Sequence, residues 1–446
     1  MTAPAQVPGP DAGALLAGLD LENRKTVIAA VSGGSDSLAL LDLAARVLAG
    51  RPTELVAVTV DHRLRPESAA EARQVAAICA DLGLRHRTLC WEDADAGAGG
   101  LIARAREARY RLLARAADEI GTDLVLLGHT ADDQAETVAM RAGRRSSGAA
   151  GWDRGGAGMA RATLFDGRVW LVRPLLAARR AALRAYLCAR GLGWIDDPTN
   201  LDTRYERPRI RARLEEPGSL LKAAGDAALL RAEMGGKAAR LILRHVDMPA
   251  PGLIRFDPGI LQTDDREAAL YALRCLLAAV GGREHLPDDA RSRALLARLA
   301  EKGLCATLSR TRVEVRRQGI FLLRENRSLP CVEAQPGIVW DGRHRLRASA
   351  LEPGATISPL GDDAPRDAAN RRSDLPERLV RIALSAEPQL MPSEGAEGPH
   401  AASFQRCVAP FARYLGEYDL ELAAALAEVI GAPPPPPSPF AGHIAD

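Results

Sequence analysis

The chain has 446 residues, too many for one ordinary domain, and a composition of 47% hydrophobic but only 4% aromatic residues suits α/β layers and helices better than a β-sandwich. Lys and Arg total 59 against 57 Asp and Glu, so a net charge of +2 excludes a protein that coats nucleic acid with its whole surface, and any nucleic-acid site must be a local patch. The seven cysteines are scattered with none within four residues of another, which excludes a CxxC metal pair and favours reduced thiols in a cytoplasmic protein. No basic segment leads into an apolar stretch at the N-terminus and no run of about 18 apolar residues occurs, so neither a signal peptide nor a membrane span is expected.

In chain order, short β-branched runs at Thr26–Val31, Leu55–Val60, Arg87–Cys90, Leu124–Leu127 and Val169–Val172 alternate with helical spacing at Leu38–Leu48, Ala69–Leu82, Leu101–Ile120 and Ala178–Arg190. This alternation predicts right-handed βαβ units around a parallel sheet, with ligands beyond the C-terminal strand ends. After about Leu214 the pattern turns helical, most clearly at Leu220–Leu243 and Arg266–Ala279, and a hairpin follows over Val313–Arg316, Gln318–Gly319 and Ile320–Arg324. Gly337–Ala348 and Ala355–Ser358 read as short strands of a small module. Residues 362–374 and 392–402 read as polar loops, and the proline run Pro433–Pro437 reads as part of a disordered tail.

The first strand runs straight into Ser32-Gly33-Gly34-Ser35-Asp36-Ser37, followed by a helix. A strand, a glycine turn and a helix N-terminus make a preformed anion site, in which backbone N–H groups and the hydroxyls of Ser32, Ser35 and Ser37 meet phosphate oxygens. Asp36 would repel a phosphate unless a cation lay between them, so its expected role is to hold Mg²⁺ against the phosphates. The loop lacks the Gly-Lys-Ser/Thr of a Walker A sequence, which argues against a GTPase-like or kinase-like site. A polar linker, or plain capping by Ser35 or Asp36, is the bland alternative.

The SGGSDS string resembles the PP-loop of N-type ATP pyrophosphatases. Further segments narrow the resemblance: Asp61-His62-Arg63-Leu64-Arg65-Pro66-Glu67-Ser68, then Ala105-Arg106-Glu107-Ala108-Arg109-Tyr110, then Gly128-His129-Thr130-Ala131-Asp132-Asp133-Gln134-Ala135-Glu136-Thr137, then Arg173-Pro174-Leu175-Leu176 and Trp194-Ile195-Asp196-Asp197-Pro198-Thr199-Asn200. In this order and spacing, over residues 26 to about 213, they resemble the tRNA(Ile)-lysidine synthase family.

The resemblance implies an adenine-nucleotide α-hydrolase-like PP-loop domain over 22–216 after an N-terminal extension, 1–21. A mainly helical tRNA-binding domain over 217–330, a small β-containing C-terminal module over 335–432 and a disordered tail over 433–446 would follow. It further implies ATP and Mg²⁺ as cofactors, with free lysine and a tRNA(Ile) of anticodon CAU as partners. The family's reaction adenylates O2 of the wobble cytosine with loss of pyrophosphate, after which the lysine amine displaces AMP at C2. A homodimer is compatible with the sequence, which leaves oligomeric state open.

In that chemistry Asp132, Asp133 and Glu136 open a helix with Glu136 on the same face as both aspartates, placed to bind Mg²⁺ or the lysine ammonium and to help deprotonate it. The expected catalytic set is Asp36, Arg109, Asp133 and Glu136, with Asp36 and Asp132 as metal ligands and Ser32, Gly33, Gly34, Ser35, Asp36 and Ser37 with His129 as nucleotide ligands. Arg109, one turn from Arg106, would clamp a phosphate. A helix cap is equally open for Asp132, and a surface salt bridge is the more probable role for Arg106.

Two departures from the family pattern stand out: an altered Gly-rich segment between Arg141 and Met159, and Pro208 where the family tends to have Asn within Arg207–Arg211. Residues 168–213 carry eleven arginines, no lysine and four acids. Arg204, Arg207, Arg209 and Arg211, read as an extended segment with alternating sides, are expected to contact tRNA, since the guanidinium fork grips phosphates and stacks on bases. The rival readings are a tRNA thiolase, which the unpaired cysteines do not support, an amide-forming synthetase, which would not need the arginines, and a non-catalytic tRNA-binding protein.

Overall fold

A computed structural model of the chain describes residues 11–21, 23–92, 100–143, 154–196, 204, 206–211, 213–214, 217–347, 351, 353–361, 375–392 and 404–441. Two compact units emerge: Met1–Arg231 with Gly416–Tyr418 and Pro437–Asp446, and Ala232–Leu415 with Asp419–Pro436. The division falls inside one helix at Arg231, later than the boundary expected at 216.

The first unit opens with a single turn, α1 (Ala12–Leu15), and then alternates β1 (Thr26–Ala30), α2 (Ser35–Leu48), β2 (Glu54–Asp61), α3 (Ser68–Asp81), β3 (Arg85–Cys90), α4 (Leu101–Ile120), β4 (Leu124–Leu127), α5 (Ala131–Gly143), β5 (Ala162–Phe165), β6 (Val169–Val172), α6 (Arg180–Ala189) and α7 (Glu206–Arg211). Within it the strands lie in the order β5-β6-β4-β1-β2-β3, all parallel except β5. Parallel strands are covered on both faces, which is why Val27 through Ala30 and all of Leu124–Leu127 are buried without alternation. Ile28, Val56, Val58, Val125 and Leu127 pack against Tyr110 and Leu113 of α4, each such side chain contributing roughly 1.5–3 kcal/mol by leaving water. β1 lies between β2 and β4, so the strand order reverses there and a crevice opens beyond the carboxyl ends of β1 and β4.

Two elements differ from expectation. β5 has no counterpart among the expected strands; it pairs antiparallel with β6 through a turn in which Asp166 and Gly167 both take positive φ, and the Asp-Gly pair is its sequence signature. The arginine-rich segment is helical over Glu206–Arg211 rather than extended. An acid in its first turn and arginines in its last suit the helix dipole, and Pro208 sits early enough to lose no hydrogen bond.

The second unit contains the C-terminal half of α8 (Gly218–His245), followed by β7 (Val246–Ala250), β8 (Leu253–Phe256), α9 (Arg266–Gly281), α10 (Asp289–Arg298), β9 (Cys305–Leu308), β10 (Thr311–Arg316) and β11 (Gly319–Arg324). These strands form a five-stranded antiparallel sheet, β7-β8-β11-β10-β9, which accompanies the long helices expected in this region. The expected hairpin is there, but the flanking strands are short and half polar and give a weak pattern.

β12 (Val332–Glu333), β13 (Val339–Trp340), β14 (His344–Leu346), β15 (Thr356–Pro359), α11 (Glu377–Ser385), β16 (Pro388–Met391), β17 (Phe404–Arg406) and α12 (Leu420–Ile430) complete the chain. Two three-stranded sheets enclose Trp340, Leu346, Ile357 and Leu390. The loops expected over 362–374 and 392–402 lie, apart from Pro392, outside the described residues.

Over its described residues, 433–441, the tail is not the disordered segment expected. The Pro439 carbonyl accepts from Asp20 N at 2.8 Å, Phe440 is buried in a bridge to Leu19, and the guanidinium of Arg161 lies 3.6 Å over its ring. An apolar anchor beyond the prolines supplies what the prolines cannot. No described helix is long and apolar enough to cross a membrane.

Candidate active site

The phosphate loop leaves β1 and enters α2 through Gly33 at φ +87°. A Cβ on Gly33 would lie 2.7 Å from Cδ1 of Ile195 and 3.0 Å from Cγ2 of Val75, so both backbone conformation and space require glycine. Gly34 stands at the N-cap of α2 and provides no side-chain acceptor, which leaves the helix N-terminus open to an anion. Ser37 Oγ donates to the Gly34 carbonyl at 3.0 Å and accepts from Ser32 N at 3.1 Å, bracing the loop from inside. Ile195 N donates to the Gly33 carbonyl at 2.9 Å and straps the loop from outside. At the tip of β4, a Cβ on Gly128 would sit 2.9 Å from Cα of Ser37, so this strand end abuts the first turn of α2.

Thr130 and Asp133 form a capping box at the start of α5. Asp133 Oδ2 accepts from Thr130 N at 3.0 Å and from Thr130 Oγ1 at 2.9 Å. Asp132 does not cap its own helix. It accepts from Arg180 N at 2.8 Å, at the start of α6, and pairs with Arg179 at 3.2 Å. Burial pushes the Asp132 carboxyl up, but the Arg180 N–H and the Arg179 charge outweigh it and hold it below its usual range.

Arg180 is absent from the expected set and is the centre of the site. Its Nε donates to Asp36 Oδ2 at 2.7 Å, Nη2 lies 3.3 Å from Asp133 and Nη1 lies 3.9 Å from Glu136. Burial raises the Asp36 carboxyl above its usual range, only partly countered by Arg180. The carboxylates in turn raise the Arg180 guanidinium. Glu136 is almost fully buried and accepts from Arg211 Nε at 2.7 Å, while its Oε2 is buried without a partner. The only sequence signal for Arg180 is the local excess of arginine, which does not mark one residue.

His129 follows β4. Burial, joined by the charges of Arg173, Arg106, Arg109 and Arg207, holds its imidazole well below the usual range, so it is neutral near pH 7. Its Nδ1 is buried and has no partner among the described residues. The Arg109 side chain makes no hydrogen bond or ion pair among the described residues, and burial lowers its guanidinium. This corner of the site is therefore rich in cations and poor in acids, which suits an anion.

The arginines of α7 do not act as one surface. Arg207 and Arg211, one turn apart, face His129 and Glu136, whereas Arg204 and Arg209 are exposed. The altered segment returns to α5 at its end: Gln134 exchanges hydrogen bonds with Met159 at 2.7 and 3.1 Å, and Arg141 donates to the Gly158 carbonyl at 2.7 Å. The catalytic residues expected, Asp36, Asp133 and Glu136, are brought together around Arg180, and Arg109 is placed with His129. Asp132 is engaged elsewhere, on α6.

Residues 13–217 match the model of the PP-loop domain family. A tRNA(Ile)-lysidine synthase of Mesorhizobium japonicum (strain LMG 29417 / CECT 9101 / MAFF 303099) is 49% identical over 434 residues, covering 94% of this chain and 95% of the relative. The chain belongs to the tRNA(Ile)-lysidine synthase family. Its member from Rhizobium meliloti (strain 1021) is 37% identical over 89% of this chain and 88% of its own length. A solved U34-tRNA thiolase from Methanococcus maripaludis is 17% identical with a TM-score of 0.40, over 49% of this chain and 77% of that one. Family membership makes the chain a ligase built on an ATP-binding PP-loop domain.

Proposed function

We propose that the chain joins free lysine to C2 of the wobble cytidine of a tRNA(Ile) with anticodon CAU, through an adenylated cytidine. One observation carries the reading: at the β1–β4 crevice, a phosphate loop adjoins three carboxylates gathered on one guanidinium, Arg180. ATP phosphates would lie on Ser32–Ser37, where the α2 N-terminus and the hydroxyls of Ser32 and Ser35 donate to their oxygens. Cytosine O2 attacks the α-phosphorus and pyrophosphate leaves. Arg109, lacking an acid partner, and neutral His129 would hold the negative charge that develops. The lysine amine then attacks C2 and AMP leaves.

That amine enters as an ammonium. Buried carboxylates attract it, and Glu136, with one oxygen unpartnered among the described residues, would accept the proton that the amine must lose. Mg²⁺ fits the donor set, since it is usually held by one or two carboxylates plus substrate phosphates. Asp36 and Asp133, which already share one cation, would hold it in preference to Asp132, and when bound it would neutralise phosphate charge. Arg204 and Arg209, with the second unit, would supply part of the tRNA surface.

The test is incubation of the protein with ATP, labelled lysine and tRNA, followed by mass spectrometry of nuclease digests. Lysidine at the wobble position is expected, dependent on both ATP and lysine. Pyrophosphate release with sulfur incorporation in its place would make the chain a thiolase.

A further inference from the structure

An open cleft of about 470 Å³, lined by none of the clustered carboxylates, lies between α3 and β3. Its volume is within the range of about 300–1,000 Å³ usual for small-ligand sites. Pro66, Ala72 and Ala76 provide apolar wall, and Arg63, Arg65 and Arg73 line the same space. Arg65 is paired with Glu71 at 2.9 Å, and Asp61 accepts from the backbone N–H of Arg63 at 2.8 Å. The side chains of Arg63 and Arg73 make no hydrogen bond or ion pair among the described residues. Arg63 is held at φ +51°, a conformation that an L-residue adopts at a cost and that its N–H bond to Asp61 maintains.

Two free guanidiniums beside small apolar side chains match one chemistry: a planar base lying on the wall and on a guanidinium face, with its phosphate on the second guanidinium. The helix that walls this space also reaches the phosphate loop, since Cγ2 of Val75 lies 3.0 Å from where a Cβ on Gly33 would stand. We propose that this cavity binds one nucleotide of the single-stranded RNA loop that carries the reacting cytidine. The inference rests on the proposed function for the identity of the RNA but not for its own test, which reads binding alone. The pocket would fix the register of the loop, so that one base enters the crevice.

The test uses the full chain and a stem-loop RNA with anticodon CAU, with binding measured across a salt series. Arg63→Ala/Arg73→Ala is expected to weaken binding about tenfold at low salt and to flatten the salt slope by about 0.7 for each phosphate no longer neutralised. Ala76→Trp fills the cavity while keeping all three arginines, and a similar loss is expected from it. Thermal melting and ATP affinity are measured in parallel, and both should match the unaltered protein. Unchanged RNA affinity in either folded variant overturns the proposal. So does an equal loss of ATP affinity, which would assign the cavity to the nucleotide. If the unaltered protein binds the stem-loop but forms no lysidine, the proposed function fails while the pocket is still judged by these affinities.

Discussion

Arg180 Nε and Asp36 Oδ2, 144 residues apart in the chain, meet at 2.7 Å and tie the phosphate loop to the start of α6. Asp36→Ala is expected to abolish ATP-dependent pyrophosphate release while tRNA binding survives, since it removes a carboxylate at the phosphate loop and nothing from the exposed arginines. Wild-type-like release would remove Asp36 from the chemistry.

The same pair sets a pH dependence. Burial raises the Asp36 carboxyl, so any stability linked to it is present at low pH and lost as pH rises through the folded value. The ionised form, required to hold a cation, appears only above that value. The acid limb of pyrophosphate release should therefore lie above the usual aspartate range, and Arg180→Gln should move it further up. A limb that stays put in Arg180→Gln would mean that Asp36 does not control it.

Arg211 and Arg209 should separate cleanly. Arg211→Ala strips Glu136 of its closest partner, and turnover is expected to fall at least about tenfold, the effect of losing about 1.4 kcal/mol of transition-state interaction. Arg204→Ala/Arg209→Ala should instead weaken tRNA binding and flatten its salt dependence by roughly 0.7 to 0.9 per phosphate no longer neutralised, with ATP affinity unchanged. Equal effects of the two changes on both readouts would contradict this division of α7.

In the second unit, Glu387 is buried against His344, Arg406 and Arg343, and these partners outweigh the upward push of burial to bring its carboxyl down to about 2. A depressed carboxyl contributes stability above its unfolded value, lost as pH falls from about 4.5 towards about 2. Glu387→Gln should lower stability by about 3–5 kcal/mol at neutral pH, because buried cations lose their counter-charge. The loss should shrink in acid, as melting temperatures between pH 7 and pH 3 would reveal.

No thiol is needed if nitrogen is the nucleophile. Cys79 and Cys275 are buried, and burial pushes the Cys79 thiol up to about 11, where it is inert. Replacing all seven cysteines by Ser or Ala should reduce stability yet leave the folded fraction active. A folded but inactive variant would revive the sulfur-transfer reading.

The first unit is legible because parallel strands read as continuous apolar runs, and Leu124–Leu127, Val169–Val172 and Leu101–Ile120 match their expected limits. The Ala162–Phe165 strand is hidden by its low β-branched content, although Asp166-Gly167 marks its turn. The five-stranded sheet is hidden because strands such as Cys305–Leu308 alternate too briefly to register. In the site, Asp36, Asp133 and Glu136 are readable from motif and spacing. Arg180 is not, because its role depends on an ion pair across 144 residues that no local pattern encodes. The direction of the α7 arginines escapes for a related reason: alternation along a chain has a different meaning once the chain coils.

Asp132 grips the backbone N–H of Arg180, while the side chain of Arg180 grips Asp36 and Asp133. The guanidinium is thus a tethered counter-ion that can swing away without its anchor moving. Any free cation must compete with this captive one, whose effective concentration over so short a tether is on the order of millimolar or more. On the proposed function, a stray monovalent ion would lose that contest, and a divalent ion delivered together with phosphates would have to win it, so that the carboxylates would exchange their resident charge as the substrate arrives.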